Sequence, residues 1–471
     1  MKLEERFKFG ILLILIIIFS GISFAQEKEE LNHPFTLKES ISIALKNNYG
    51  LKAASEKITG AKEKTWEAKT LFLPKLKVES SYTHLNEPPS LDLEAGVLTP
   101  QALSIEMGDD NIYNAQAVVQ QPLFTGGKIL SLNKQARNNL EAAKYNYEEA
   151  EQNLILQVKE AYFGILVFQK YSEVCRDAVE QMKAHLETVR GLYNAGTVPH
   201  IDLLRTEVQL ANAELALIKA ENGVELAKSS FNTILDRDLN LPVEVVDVFE
   251  IVEQDYHLGQ LLGEAKNNRP EIYKMRHNIE TARAGVGAAQ SNYWPQVGLF
   301  GNYRQHRGDE PIIEWKEDWM VGVKATMDIW NWGETKARVG QAKAALRELE
   351  HLEAQLKDGI ALEVKAALLS LEEAKKGIRI SKKAVIHAEE SLNSAETGYK
   401  NGRINNVEVL DSQLALTHAR TNNLQAKYNY ILSQARLGKA IGSSTDLSSD
   451  LFSGALAKGG ALVKTEKSGG E

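Results

Sequence analysis

The chain has 471 residues, with 55 Lys+Arg against 63 Asp+Glu, a formal net charge of −8 and 43% hydrophobic residues. That balance excludes a disordered polymer and a helical membrane protein, and it leaves no basic footprint for nucleic acid. The single cysteine, Cys175, excludes an intramolecular disulfide framework and any multi-cysteine metal site.

At the N-terminus Lys2, Arg6 and Lys8 precede nine uninterrupted apolar residues, Ile11 to Phe19. A small-residue stretch ending Ser23-Phe24-Ala25 follows, then the polar Gln26-Glu27-Lys28. This is the tripartite pattern of an export signal (residues 1–25), cleaved after Ala25. A membrane anchor would need about 18 or more apolar residues. No cysteine follows the apolar run, so a lipid-modified mature N-terminus is excluded. Beyond residue 25 no apolar run can span a bilayer as a helix, so any membrane-embedded part must be built from strands.

A first unit, 26–240, opens with a helix expected from Leu37 to Leu71, stopped by Pro74. Strands are expected at about 75–87 and 112–124, around an insertion carrying Asp92, Glu94, Glu106, Asp109 and Asp110. After Gly127 a stripe from Leu132 through Ala136, Leu140, Ala143 and Tyr147 to Phe168 recurs every 3.6 residues on average, which is helical. A helix over 128–193 would run on the order of 100 Å. That length argues for coiled-coil packing. It turns at Gly196, and a return helix follows over 201–235. A β-branched, acidic connector covers 241–257. The second unit, 258–442, repeats the order: a helix from Leu258 to Tyr293, strands at 296–306 and 319–330, a long helix over 334–399, a turn at Gly402 and a return helix over 406–441. The tail, 443–471, is rich in Ser, Gly and Lys and is expected to be flexible.

The two units are copies of one another. Tyr193-Asn194-Ala195-Gly196 aligns with Tyr399-Lys400-Asn401-Gly402 at an offset of 206, which also carries Gly127 onto Gly333 and Leu204 onto Leu410. Upstream the offset is about 220, relating Asn47-Asn48 to Asn267-Asn268. Constant spacing across different motifs marks a duplication.

In the clearest strand Trp319, Val321, Val323, Ala325, Met327 and Ile329 alternate with more polar residues, the period of a half-buried strand. Val297, Leu299, Gly301 and Tyr303 share one face of its partner. The first copy offers Leu76, Val78, Ser80 and Tyr82, then Tyr113, Ala115, Ala117 and Val119. The lengths suit tilted transmembrane strands. Four strands cannot close a barrel, whereas three chains would supply twelve. The alternative is a periplasmic structural or tethering coiled-coil protein with two small hairpins and no channel activity.

Phe35-Thr36-Leu37-Lys38-Glu39-Ser40 with Ala44-Leu45-Lys46-Asn47-Asn48 resembles the opening motif of the TolC-like outer-membrane efflux proteins. Gln121-Pro122-Leu123-Phe124-Thr125-Gly126-Gly127-Lys128 resembles their strand-to-helix junction. The stretches from Tyr193 to Leu204 and from Tyr399 to Asp411 resemble their two helical tips. The resemblance covers about 35 to 442 in the same order. It implies a mainly α fold with β: a homotrimeric 12-stranded outer-membrane β-barrel continued by a periplasmic α-helical barrel. It also implies an exit duct for efflux or type I secretion, with outer-membrane lipid around it. A periplasmic adaptor would join it to an inner-membrane pump of RND, ABC or MFS type.

Glu408 and Asp411, at i and i+3 on one helix face, occupy the positions of the family's acidic entrance ring. The helix dipole alone would also favour acids there. By the same resemblance Asp202 and Tyr399 belong to the closed gate, with Arg403 as a partner for Asp202; the family's arginine lies one position later, at Ile404 here. The tips, Gly196, Thr197, Leu203, Leu204, Gly402, Val409 and Leu410, are the expected adaptor-docking surface. Trp319, Trp330 and Trp332 are either an interfacial girdle or core packing beneath the strands.

Enzyme chemistry finds no support. Gly126-Gly127-Lys128 is not a phosphate loop, since Pro122 stands where its first glycine belongs and Ile129 where Ser or Thr is required. No two of the ten histidines lie at i,i+3 or i,i+4. Cys175 reads as a small packing residue. No cofactor or metal is expected.

Overall fold

The computed structural model describes residues 33–87, 90–93, 103–106, 110–248, 255–307 and 316–443. The expected export signal and the tail beyond Ser443 lie outside the described residues, as do Glu94 and Asp109 of the insertion. In chain order the elements are helices α1 (Leu37–Asn47) and α2 (Tyr49–Thr70), strands β1 (Lys75–His84), β2 (Ser90–Leu93), β3 (Leu103–Glu106) and β4 (Asn111–Phe124), and helices α3 (Lys128–Asn194) and α4 (His200–Ile234). The second copy contributes α5 (Leu258–Asn268), α6 (Pro270–Gln290), β5 (Gln296–Arg307), β6 (Lys316–Thr326), α7 (Glu334–Lys400) and α8 (Asn406–Ala440). Among the described residues no helix is long and apolar enough to cross a membrane.

Two readings are corrected at the start of each copy and in the insertion. The single opening helix is two helices. Asn48 (φ −57°, ψ 126°) leaves the helical region, and its side chain caps the Leu51 N–H at 3.2 Å. Arg269 breaks the second copy because the following Pro270 disfavours helix at the residue before it. The insertion, expected as a loop, contains the hairpin β2–β3.

The breaks serve the packing. Asn48 donates to the carbonyl of Ile234 at the end of α4 (3.1 Å), and Arg269 donates to that of Ala440 at the end of α8 (3.2 Å). Both satisfy carbonyls that a helix C-terminus leaves without partners. Arg269 is buried and also holds Glu271 through two bonds (2.8 and 2.9 Å) and Glu363 of α7 (2.9 Å).

Each 67-residue helix, α3 and α7, runs on the order of 100 Å. The shorter helices divide that length between them. α4 and α8 pair with the halves that end at the glycine turns, while α2 and α6 pack towards the strands. Midway along α3, Tyr162 and Phe163 are buried with Phe35, Phe231, Leu235 and Val243. There Phe35 bridges Val245 of the connector, and the Tyr162 hydroxyl lies 3.0 and 2.8 Å from the carbonyls of Phe35 and Val246. Phe35 and the connector residues Val245 and Val246 are thus fastened to the middle of α3.

The sheet has the order β1-β4-β5-β6, all antiparallel. One face carries cross-strand rows Leu76–Val119–Gly301–Val321 and Val78–Ala117–Tyr303–Trp319. This apolar face is bare rather than half-buried: Val78 is 74% exposed and Trp319 75%. The opposite face carries Glu79–Gln116–Arg304–Asp318, and a cavity of about 620 Å³ opens on that polar side. Apolar residues outside and polar residues on the concave side are the pattern of a barrel wall.

Replacing Arg269 by Ala leaves Glu271, Glu363 and the end of α8 without their partner. The expected cost is about 3 kcal/mol, typical of breaking a buried pair. A lowered thermal midpoint, followed by circular dichroism, measures it.

Candidate functional site at the helical tips

Both long helices end in the same six-residue motif. Gly196 (φ +73°) and Gly402 (φ +67°) take the left-handed conformation that closes a helix. The N–H of Thr197 bonds Leu192 O (3.0 Å), and that of Arg403 bonds Gly398 O (2.8 Å). A Cβ on either glycine would meet nothing within 4 Å, so the turns face open space. Thr197, Leu204 and Arg403 are exposed there as well, and Leu203 is partly buried. Val409 and Leu410, grouped with the tips in the sequence, turn inward and are buried.

Asn405 caps α8 by accepting from the Glu408 N–H at 3.0 Å. Glu408 and Asp411 are both exposed on the first turns of that helix. Asp202 lies on the first turn of α4. Tyr399, only 5% exposed, packs with Val189, Leu392 and Val409. Its hydroxyl is buried without a partner. Burial first, and the Asp202 charge second, push the Tyr399 phenol above its ordinary value. The structure therefore brings Asp202 and Tyr399 together. Within one chain it does not join Asp202 to Arg403, and among the described residues neither makes an ion pair.

No sequence pattern marks the residues that tie the two tips together. Asn406 is fully buried, and its amide N–H2 donates to Asp202 O and to the Thr206 hydroxyl, both at 3.1 Å. Its side-chain oxygen must therefore accept, so His185 Nε2, 2.7 Å away, carries the proton. The His185 ring also packs on Tyr399, with centroids 5.4 Å apart. One polar cluster thus joins α3, α4, α7 and α8. Further along the same seam, Arg420 bridges Asp177 and Glu389, and Arg436 reaches Glu160. The duplication hid the cluster: at an offset of 206, Ser391 answers His185 and His200 answers Asn406, so neither position repeats.

Burial holds His185 below the usual histidine range. The Lys400 charge acts in the same direction, while the Asn406 bond and the Glu396 charge oppose it. The unfolded chain binds that proton more readily, so tip stability rises with pH between the depressed value and 6.5 and falls on acidification through that window. Hydrogen exchange of the tip amides between about pH 5 and 8 measures this. His185→Gln is expected to flatten the profile. Asn406→Leu is expected to speed exchange at every pH, by the roughly 1–3 kcal/mol of newly unpaired groups.

This architecture sets a strand wall, apolar on one face, at the end of paired helices of the order of 100 Å, the pattern expected of a barrel-forming chain. The family model for outer membrane efflux proteins matches residues 40–235 and 261–443, and the chain belongs to that family. Outer membrane protein TolC of Vibrio cholerae is 23% identical over 418 residues, covering 87% of this chain and 91% of the relative. Alkaline protease secretion protein AprF of Pseudomonas aeruginosa is 24% identical over 341 residues, covering 70% and 69%. Among solved structures, the CmeC outer membrane channel of Campylobacter jejuni superposes with a TM-score of 0.73 at 19% identity, covering 90% of this chain and 89% of that one. The protein is an outer-membrane exit channel with a periplasmic extension, a passive conduit and not an enzyme.

Proposed function

We propose that three copies of the chain form one duct, a twelve-stranded barrel continued by a helical barrel, serving a tripartite efflux or type I secretion system. The observation that carries this is the open-edged sheet: among the described residues β1 and β6 each leave one side unpaired, beneath an exposed apolar face. Lipid does not tolerate such edges, so β6 of one chain pairs with β1 of the next.

The duplication supplies a second argument. The Gly126 backbone comes so close to the end of α6 that a Cβ would stand 2.5 Å from Ser291 O. Its counterpart, Trp332, also has a positive φ (51°) but is 89% exposed. The first junction is seated within the chain and the second is bare. α6 lies between α3 and α7, whereas α2 packs chiefly on α3. In the proposed trimer, α2 of the neighbouring chain covers the free flank of α7 and the Trp332 junction. Trp319, exposed on the apolar face, then stands at the level of the lipid headgroups, while Trp330 lies beyond the end of β6 and packs against Trp332.

At the other end, three copies of Glu408 and Asp411 form an acidic entrance that draws cations and repels anions. Asp202, Tyr399 and Arg403 hold that entrance shut, Arg403 pairing with Asp202 of an adjacent chain. Gly196, Thr197, Leu204 and Gly402 meet the helical hairpins of a periplasmic adaptor, through which an inner-membrane pump supplies energy and substrate choice. The names of relatives support this: AprF is a secretion protein for a protease, and CzcC of Cupriavidus metallidurans is a cobalt-zinc-cadmium resistance protein.

Detergent-purified protein is expected to migrate as a heat-labile trimer and to give discrete, cation-preferring openings in a planar bilayer. Glu408→Ala with Asp411→Ala removes the cation preference and keeps the openings. A monomeric, non-conducting species would sink the duct, and unchanged selectivity in the variant would sink the acidic entrance.

A further inference from the structure

The polar face of the sheet is not evenly polar. At its helical end the rung Lys75–Gln120–Phe300–Gly322 crosses all four strands. One rung further from the helices are Val118, Asn302 and Met320, and one rung nearer, Lys324 stands beside Gly298. Phe300 lies along the face over Gly322, where a Cβ would come within 2.8 Å of the ring. Glycine at 322 therefore makes room for the aromatic ring to lie flat. Val118, Gln120, Phe300, Asn302, Met320 and Lys324 line the cavity of about 620 Å³. Its floor is apolar, and Met320 is half exposed there.

The charges on this face are unevenly matched. Glu79 is held by Lys77 and by Gln116 (2.6 Å), and Asp318 by Arg304 (2.6 Å). Both acids are thereby neutralised, and both sit nearer the far end of the strands. Lys75, at the β1 end of the Phe300 rung, and Lys324, one rung nearer the helices, are exposed and make no ion pair among the described residues. The nearest acid along β6 on the helical side, Asp328, lies beyond the end of the strand. The side-chain oxygen of Asn302 is buried without a partner, and turning the amide over would offer an N–H2 donor in its place.

We infer that this rung is a station for amphipathic organic anions inside the barrel: an aromatic or aliphatic body rests on Phe300 and Met320, with its sulfonate, carboxylate or phosphate between Lys75 and Lys324. The inference rests on the three-chain barrel, which makes this face a lumen and, by pairing β6 with the next β1, brings Lys324 of one chain towards Lys75 of another. The duct then carries opposite charge at two levels, acidic at the tips and basic where helices give way to strands. Weak, repeated sites of this kind let a solute be held and released along a pore.

The test uses the full-length trimer in a planar bilayer, with probes added on the barrel side. The probes are 1-anilinonaphthalene-8-sulfonate and, as a bulky apolar cation, tetraphenylphosphonium. The sulfonate is expected to reduce conductance at concentrations where the cation does not. Lys75→Gln with Lys324→Gln should weaken that block about five-fold, as losing two exposed charge contacts implies. Met320→Ser should weaken it with the charge pattern intact. The single lysine variants, altered only at exposed positions, are carried alongside in case the double variant inserts poorly. Equal block by both probes, or a sulfonate block unchanged without the lysines, overturns the station and leaves the duct. A wild-type protein that forms no conducting species overturns the duct, and the station with it.

Discussion

The sheet on which the rest of the molecule hangs is organised around backbone hydrogen bonding in a solvent that offers none. A four-stranded sheet with an apolar face directed outward leaves two rows of N–H and C=O groups along β1 and β6. In hydrocarbon each unpaired group costs several kcal/mol. The strands can remain in lipid only if those rows are paired by further strands of the same kind. The alternation of faces follows from the same constraint, since closing the sheet gives it an inside that water fills and an outside that it does not reach. Leu76, Val78, Val321 and Val323 would be errors on a soluble protein's surface; on a barrel wall they are the surface.

The duplication lets one structural solution serve twice, and the differences between the copies record what each faces. Asn48 and Arg269 break the same helix and cap the same helix end, one as a neutral amide and the other as a buried cation with two carboxylates. At the ends of the return helices, Gly442 adopts the left-handed conformation where Asn268 leaves no room for a Cβ (2.7 Å). Asp236 takes the same conformation in the first copy. The tyrosines before the tips diverge further: Tyr193 is partly exposed, while Tyr399 is buried beside His185. Positions where the copies disagree are the ones where the chain departs from the regularity of its two repeats.

The tip shows how a polar cluster can hold helices without fixing them permanently. His185, Asn406 and Thr206 tie one hairpin to the other through a few hydrogen bonds, each worth about 1 kcal/mol net. Longer apolar seams, such as that around Tyr162 and Phe231, hold the middle of the helices far more firmly. A smaller apolar cluster of Val189, Leu392, Tyr399 and Val409 supplements those bonds at the tips.

Much of this fold was legible in the sequence because its signals are periodic and local. The 3.6-residue stripe after Gly127, the two-residue alternation around Trp319 and the glycines at 196 and 402 each act on neighbouring backbone, so they could be read without knowing what packs where. The duplication was legible for the same reason. The acids at 202, 408 and 411 could be placed on first turns, but their common location at one end came only from the folded hairpins. Tertiary structure alone decided which residues at the tips turn inward, burying Val409 and Leu410 while leaving Leu204 outside. It alone paired His185 with Asn406, 221 residues apart, and laid Phe300 over Gly322 beside Lys324. Such contacts depend on the crossing of helices and the register of strands, and neither leaves a local pattern in the chain.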